Sequence, residues 1–431
     1  MNKLEDRAKS TQKMIEDHFF DKRGWLMECL NMHTMKPYGR DELPEEASGY
    51  SDDDPIPATA AERKTYEDTM FCTGLYLWSL SEQYAVTGDE EPRKIADRIF
   101  DDLQPLIAMN DEIEKGYIGK PWGARPRRRT TLDQTFYFTF GLNRYSEMAD
   151  PQRQKRIAEI VSGNVDWWMG RNYCDFQYPD EKISGWLSPA FGGAMMAEVF
   201  LAWLQTGEKK YQDECERLNK VHKTDWFPVQ RIRRWLDTDD KGRKIRLLAM
   251  WHHAMPLALW LLGRHAPERL PYWQERFVDH WRQELKLGLR DDGLTDSCVR
   301  LNLATGTEEP IGLDEIRYVT ERPEYEAGSK NNLRLQFLLT AAKSSYYSTH
   351  MAVSAVLMAE TVPWMAHESR RVLDCVLPKL DMTRTPIFID PDGRQWPTGR
   401  KHDLETLSTF GMTGWLVAYW QGRRLGLVNE Y

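Results

Sequence analysis

The chain has 431 residues, with 58 lysines and arginines against 66 aspartates and glutamates, a formal net charge of −8 and a pI near 5.8. An apolar content of 41% excludes a disordered chain, and the acidic balance argues against nucleic acid as the main partner. Aromatic usage is unusual, because 17 Trp stand beside 15 Phe; such rings suit the grip of a sugar as well as the filling of a core.

From the N-terminus, Leu4 to Phe20 reads as a charged amphipathic helix without the apolar stretch of a signal peptide, so a cytoplasmic protein is expected. From residue 69 one unit recurs: an apolar, glycine-bearing helix, a short turn, then a charged amphipathic helix. The first pair is TMFCTGLYLWSLSEQYAVTGD with EEPRKIADRIFDDLQPLI, and the second is TLDQTFYFTFGLNRYSEMAD with PQRQKRIAEIVSGNVDWWM. The third is SPAFGGAMMAEVFLAWLQTGE with KKYQDECERLNKVHK. The fourth is RLLAMWHHAMPLALWLLGRHA with PERLPYWQERFVDHWRQELKL, and the fifth is YYSTHMAVSAVLMAETV with PWMAHESRRVLDCVLPKL. A last apolar helix, LSTFGMTGWLVAYWQGRRLGL, takes the N-terminal helix as its partner. Turns near Asp89, Asp150, Gly207 and His265 are 61, 57 and 58 residues apart, and the next, at Val362, comes after 97, which places an insertion around 290–340. Turn chemistry agrees: Gly88 and Gly207 fall just past helix ends, and Pro151, Pro267 and Pro363 open the helices that follow.

Helices apolar nearly all round must be buried, and amphipathic ones must cover them. Six of each, the last closing on the first, predict an all-α fold: an (α/α)6 toroid in one domain over residues 1–431, with short β-hairpins in loops such as PIFIDPDG and RYVTERPEY. An open solenoid would leave the last apolar helix uncovered. Loops at one end are short, whereas 21–64, 109–130, 171–187, 224–242, 290–345 and 381–402 are long, aromatic and charged, and these place the functional site at their end. No apolar run reaches the roughly 18 residues of a membrane span. Cys29, Cys72, Cys174, Cys215, Cys298 and Cys375 are scattered without a CxxC pair and read as buried thiols. No metal or organic cofactor is implied.

Asp68 and Asp133 each stand near the start of an apolar inner helix, where two carboxyls from adjacent helices can face one site. Burial beside a like charge raises one pKa and separates an acid from a base. Helix capping is the competing use, since TYED and TTLD are reasonable helix starts. Arg125, Arg127, Arg128 and Arg129 precede Asp133, and guanidinium forks suit carboxylate or sulfate groups. A solvated loop or a contact between subunits of a homodimer is the other use for such a run.

His252 and His253 lie inside the fourth apolar helix about 100° apart, so one can face the site while the other packs. His350, with Tyr346 and Tyr347, starts the fifth, where a Tyr/His pair would suit a β-eliminating lyase. His402 holds the equivalent place before the last helix. Trp25, Trp122, Trp186, Trp396 and Tyr318 fall at long-loop ends with Arg400, where sugar rings could stack, whereas Trp78, Trp167, Trp168 and Trp260 fall inside helices and read as packing.

The layout resembles the six-hairpin glycosidases over nearly the whole chain. The segments YEDTMFCTGLYLWSLSEQYAVTGDEE and RRTTLDQTFYFTFGLNRYSEMAD are similar to two inner helices of unsaturated glucuronyl hydrolases, each opening with a functional aspartate. That resemblance implies Asp133 as acid/base, Asp68 as the second carboxylate, and an anionic, uronic-acid-containing oligosaccharide as substrate. Glu67 stands where that family usually carries a histidine. The rival expectations are a polysaccharide lyase using a Tyr/His base, a sugar epimerase with two histidines facing one site, and a non-catalytic sugar-binding scaffold.

Overall fold

The computed structural model describes residues 3–39, 42, 58–123, 125–176, 192–221, 345–385 and 404–428, with shorter pieces between 237 and 310 and at 387–389. Along the chain come α1 (Lys3–His18), β1 (Cys29–Asn31), α2 (Ala60–Tyr66), α3 (Thr69–Thr87), α4 (Glu90–Ile113), α5 (Leu132–Ser146) and α6 (Pro151–Gly170). They continue with α7 (Gly192–Thr206), α8 (Lys209–Val221), β2 (Asp237–Thr238), β3 (Lys244–Leu247), β4 (Cys298–Leu301), β5 (Glu308–Pro310), α9 (Ser345–Thr361), α10 (Ala366–Val376), β6 (Ile387–Ile389), β7 (Leu404–Ser408) and α11 (Thr409–Arg424).

Local chemistry sets these boundaries. Gly88 ends α3 in the left-handed conformation (φ 67°), its N–H donating to the Tyr84 carbonyl at 2.9 Å. Asp150 caps α6 through the N–H groups of Gln152 and Arg153, with Pro151 in the first helical position. Pro363 opens the short 3-10 turn that leads into α10. The α4 helix runs on to Ile113, so the loop expected from residue 109 begins later.

The apolar helices form the inner layer. Helix α11 packs between α9 and α3, α3 packs along α5, and α5 along α7. Trp260, from the fourth apolar segment, meets Phe140 of α5 edge-on. Among the described residues each amphipathic helix covers an inner one, α4 on α3, α6 on α5, α8 on α7, α10 on α9 and α1 on α11, and the fourth expected pair lies largely outside them. The last inner helix therefore closes on the first, and the fold is an (α/α)6 toroid. Buried apolar side chains from Ala8 to Val428 form one contiguous core, in which Trp78, Trp167, Trp168 and Trp260 all pack.

Two features position the site. Gly74 of α3 and Gly141 of α5 let the two backbones touch, since a Cβ at Gly74 would land on the Tyr137 carbonyl. Antiparallel β1 pairs with β7, Cys29 opposite Ser408, and joins the N-terminal segment to the start of α11. Strand β6 of the PIFIDPDG segment adds to β7, and β2-β3-β4-β5 form a second sheet; RYVTERPEY lies outside the described residues.

Candidate active site

At the long-loop end, where α3 and α5 begin, the structure gathers Glu28, Glu67, Asp68 and Asp133 around Lys120. Asp68 holds the N-cap position of α3, yet its side chain makes no capping bond. Instead Oδ1 accepts from Gln134 Nε2, the neighbour of Asp133 on α5. Asp133 lies in the first turn of α5, past the Thr131 cap position, where Thr131 and the N–H groups of Asp133 and Gln134 favour its charged form. Capping therefore does not account for Asp68, whereas the start of α5 presents its own N–H groups to Asp133.

Lys120 is buried, pairs with Glu67, and lies 3.8 Å from Asp68 Oδ1. Its backbone is pinned on both sides: its N–H donates to the Arg129 carbonyl at 2.8 Å, and its carbonyl accepts from the Arg127 N–H at 3.0 Å. Glu67 thus serves as charge partner to the lysine.

The floor of the site is aromatic. His350 of α9 stacks on Phe410 of α11 at 4.2 Å, Phe410 on Phe71 of α3 at 4.3 Å, and Phe71 meets Tyr137 of α5 at 4.3 Å. Phe71 of this row lies one turn along α3 from Asp68. Burial pushes the Asp68 carboxyl well above the usual carboxylate range, with the Glu28 charge adding to the rise and Lys120 opposing it. Burial likewise raises Asp133 against the pull of Lys120. Glu28 is raised by burial too, with Lys64 opposing. Lys120 stays protonated, because Glu67, Asp68 and Asp133 outweigh its desolvation. Deeper in the inner wall, burial lifts Glu198 of α7 to about 8, and Thr135 and Thr139 of α5 reach its carboxyl.

Of the residues read from the sequence, Asp68 and Asp133 are brought together. Several others are placed differently. Trp122 is 1% exposed and packs under Arg63, so it offers no open face to a sugar. Trp25 is equally buried, with Arg23 stacked 3.9 Å over its ring. Arg127 turns inward, its Nε donating to the Trp122 carbonyl, because the pairing with Lys120 aims this stretch of backbone at the core. Arg129 is half-buried, and Arg128 is exposed over Phe176. The backbone of the arginine run thus holds Lys120 in place. His350 is covered by Phe410 on one face, and Tyr346 lies one turn before it on α9, with its side chain outside the described residues. His252, His253, Trp186, Tyr318, Trp396, Arg400 and His402 also lie outside them.

Sequence reasoning missed Lys120, Glu28, Gln134 and Glu198. Three of them carry a readable signal, a lone charge inside an apolar run: WLMECL for Glu28, YIGKPW for Lys120 and AMMAEVFLAWL for Glu198. Among the described residues no cluster of His, Cys, Asp and Glu has the arrangement of a metal site, and no helix is long and apolar enough to cross a membrane.

No protein-family model matches the chain, and no curated protein sequence does. Among solved structures, it is similar to the crystal structure of D-mannose isomerase, with a TM-score of 0.50 and 10% identity over 98% of this chain and 97% of that one. Cellobiose 2-epimerase from Bacillus thermoamylovorans B4167 gives 0.48 and 11%, over 96% and 99%. At 10% identity the first likeness shows the fold, an (α/α)6 toroid, and nothing of a uronide-directed subfamily.

Proposed function

We propose that the protein is a sugar-transforming enzyme whose acid–base pair is Asp68 and Asp133. The observation that carries this reading is the pair itself: two buried carboxyls from adjacent inner helices, both raised, beside one protonated lysine. A raised carboxyl keeps a proton to donate, and the ammonium stabilises whichever partner ionises. In the hydrolytic form, Asp133 protonates the glycosidic oxygen as the anomeric bond breaks. Asp68 meanwhile stabilises the positive sugar ring or deprotonates the attacking water. In the hydration form, Asp133 delivers its proton to one carbon of the double bond of an unsaturated uronide, water adds to the other carbon, and the proton that water loses returns to Asp133 while Asp68 orients that water. The substrate proposed is an anionic, uronic-acid-containing oligosaccharide, acted on by a monomer or a homodimer.

A second reading, sugar isomerisation or epimerisation, draws support from the fold shared over 98% of the chain with D-mannose isomerase. There a base lifts the proton from the carbon beside the sugar carbonyl and an acid returns one, with no leaving group. His350 and the pair His252 and His253 are the histidines this chemistry would recruit.

One assay separates the readings. The protein is incubated in heavy water with an unsaturated glucuronyl disaccharide, a saturated glucuronide and free D-mannose. Loss of the ultraviolet band of the conjugated double bond marks hydration, and new reducing ends mark hydrolysis. Deuterium at the carbon next to the carbonyl marks the second reading, and growth of the ultraviolet band on an added uronide glycosylated at O4, whose O4-linked sugar leaves, would instead reveal a lyase. Full turnover by Asp133→Asn on the true substrate would sink the acid–base assignment.

A further inference from the structure

We infer that Glu28 and Gln134 are positioning residues: between them they cap helix α3, which releases the Asp68 carboxyl for proton transfer. The inference rests on the reading that this carboxyl takes part in the reaction. A capping box needs two bonds, from the N3 backbone N–H to the N-cap side chain and from the N-cap backbone N–H to an acidic side chain at N3. Helix α2, which ends two residues before α3 begins, has the ordinary form: Thr59 Oγ1 accepts from the Glu62 N–H at 3.1 Å, and Glu62 Oε2 accepts from the Thr59 N–H at 2.8 Å.

Helix α3 has the same two bonds, made by residues from elsewhere. The N–H of Phe71, its N3 residue, donates to Gln134 Oε1 of α5 at 3.4 Å. The N–H of Asp68, its N-cap residue, donates to Glu28 Oε2 at 2.9 Å. The donor that would hold the aspartate side chain in such a box, the Phe71 N–H, is taken by Gln134, and the Asp68 N–H, which would seek an acid at N3, is taken by Glu28. The Gln134 amide then uses its other end to donate to Asp68 Oδ1, which draws the carboxyl away from its own helix and toward Lys120.

Neither residue is free to drift. Gln134 is 1% exposed on the face where α3 and α5 touch. Glu28 is 4% exposed, its N–H donates to the Thr65 carbonyl at 2.6 Å, and its carbonyl accepts from the Thr409 N–H at 2.9 Å. Three distant stretches of chain meet there. The groups facing its carboxyl are Lys64, Glu67, the Asp68 N–H and carboxyl, Lys120 and the Cys29 and Cys72 thiols.

The inference makes predictions of opposite sign. Gln134→Met removes both bonds, so Asp68 swings back to cap Phe71, where the helix N-terminus favours its ionised form. Its titration, followed by NMR on isotope-labelled aspartate carboxyls and assigned with Asp68→Asn, moves to lower pH. With the unsaturated disaccharide, or D-mannose on the second reading, kcat falls about 100-fold while KM changes less than about threefold. Gln134→Glu keeps an acceptor for Phe71 but sets a carboxyl against Asp68, and moves the titration to higher pH. Glu28→Gln keeps the accepting oxygen for the Asp68 N–H and recovers part of the kcat that Glu28→Ala loses, while the loss of its charge moves the Asp68 titration to lower pH. If neither Gln134 variant moves the Asp68 titration, or if Gln134→Met moves it without lowering kcat, the inference is overturned. The functional reading fails separately, through undiminished turnover by Asp68→Asn.

Discussion

The same inner helices end in two opposite kinds of charge cluster. At their N-terminal ends, four carboxyls gather round Lys120, and burial raises three of them. At the C-terminal ends of α3, α5, α9 and α11, Glu82 lies between two arginines. Arg144 Nη2 meets it at 2.6 Å, and Arg424 bonds it while reaching Glu360 at 3.0 Å. Glu82 is also fully buried, yet its pKa is lowered: desolvation pushes it up, and the Arg144 and Arg424 guanidiniums outweigh that. Cations suit the C-terminal ends of helices, where the backbone presents carbonyls. Burial alone therefore does not decide the direction of a shift; the ratio of carboxyls to cations does. One end holds exchangeable protons, and the other anchors helices.

The largest expected effect breaks the comparison at the mouth. Asp133→Asn should cut turnover by about 10²–10⁴-fold while the melting temperature holds, because the variant removes one of several crowded like charges. At the other end, Glu82→Ala should leave two cations without their buried partner and cost about 3–5 kcal/mol of stability, read by denaturant unfolding.

The pH dependence should split the two ends. Glu82 has a depressed folded pKa, so its contribution is present above the unfolded value and is lost as pH falls; Glu82→Gln should blunt acid unfolding. Glu198 has a folded pKa of about 8 against an ordinary 4.5, so its stability is present at low pH and is lost as pH rises between those values. Unfolding at pH 5 and 8 should show Glu198→Gln gaining on the wild type by up to a few kcal/mol, about 1.4 per pH unit spanned. Equal gains at both pH values would remove Glu198 from the raised set. The smallest effect is expected at the seam that joins the ends. Gly74→Ala should cost about 1–3 kcal/mol, since its Cβ meets the Tyr137 backbone, and a fall in turnover beyond that loss would show that the α3–α5 spacing also sets the aspartate geometry.

Much of this was legible in the chain. The alternation of TMFCTGLYLWSL-type and EEPRKIADRIF-type segments marks inner and outer helices, and Gly88, Asp150 and Pro151 mark their ends, because helix periodicity and capping are local properties. The placement of Asp68 and Asp133 at two helix starts was equally visible. The roles of the tryptophans were not: Trp25 and Trp122 occupy loops, which suggested an exposed rim, but both pack inside.

What the sequence alone determined is the set of helices, their layer and the closure of the ring, since an apolar helix must find cover wherever the chain leads. What only the tertiary structure decided is the state of the carboxyls. Residue 28 reaches residue 68 because β1 pairs with β7 and α11 seats beside α3, and residue 134 reaches residue 68 because Gly74 and Gly141 let two backbones touch. Whether an aspartate at a helix start caps its own helix or keeps a proton depends on those distant partners, and no local pattern encodes them.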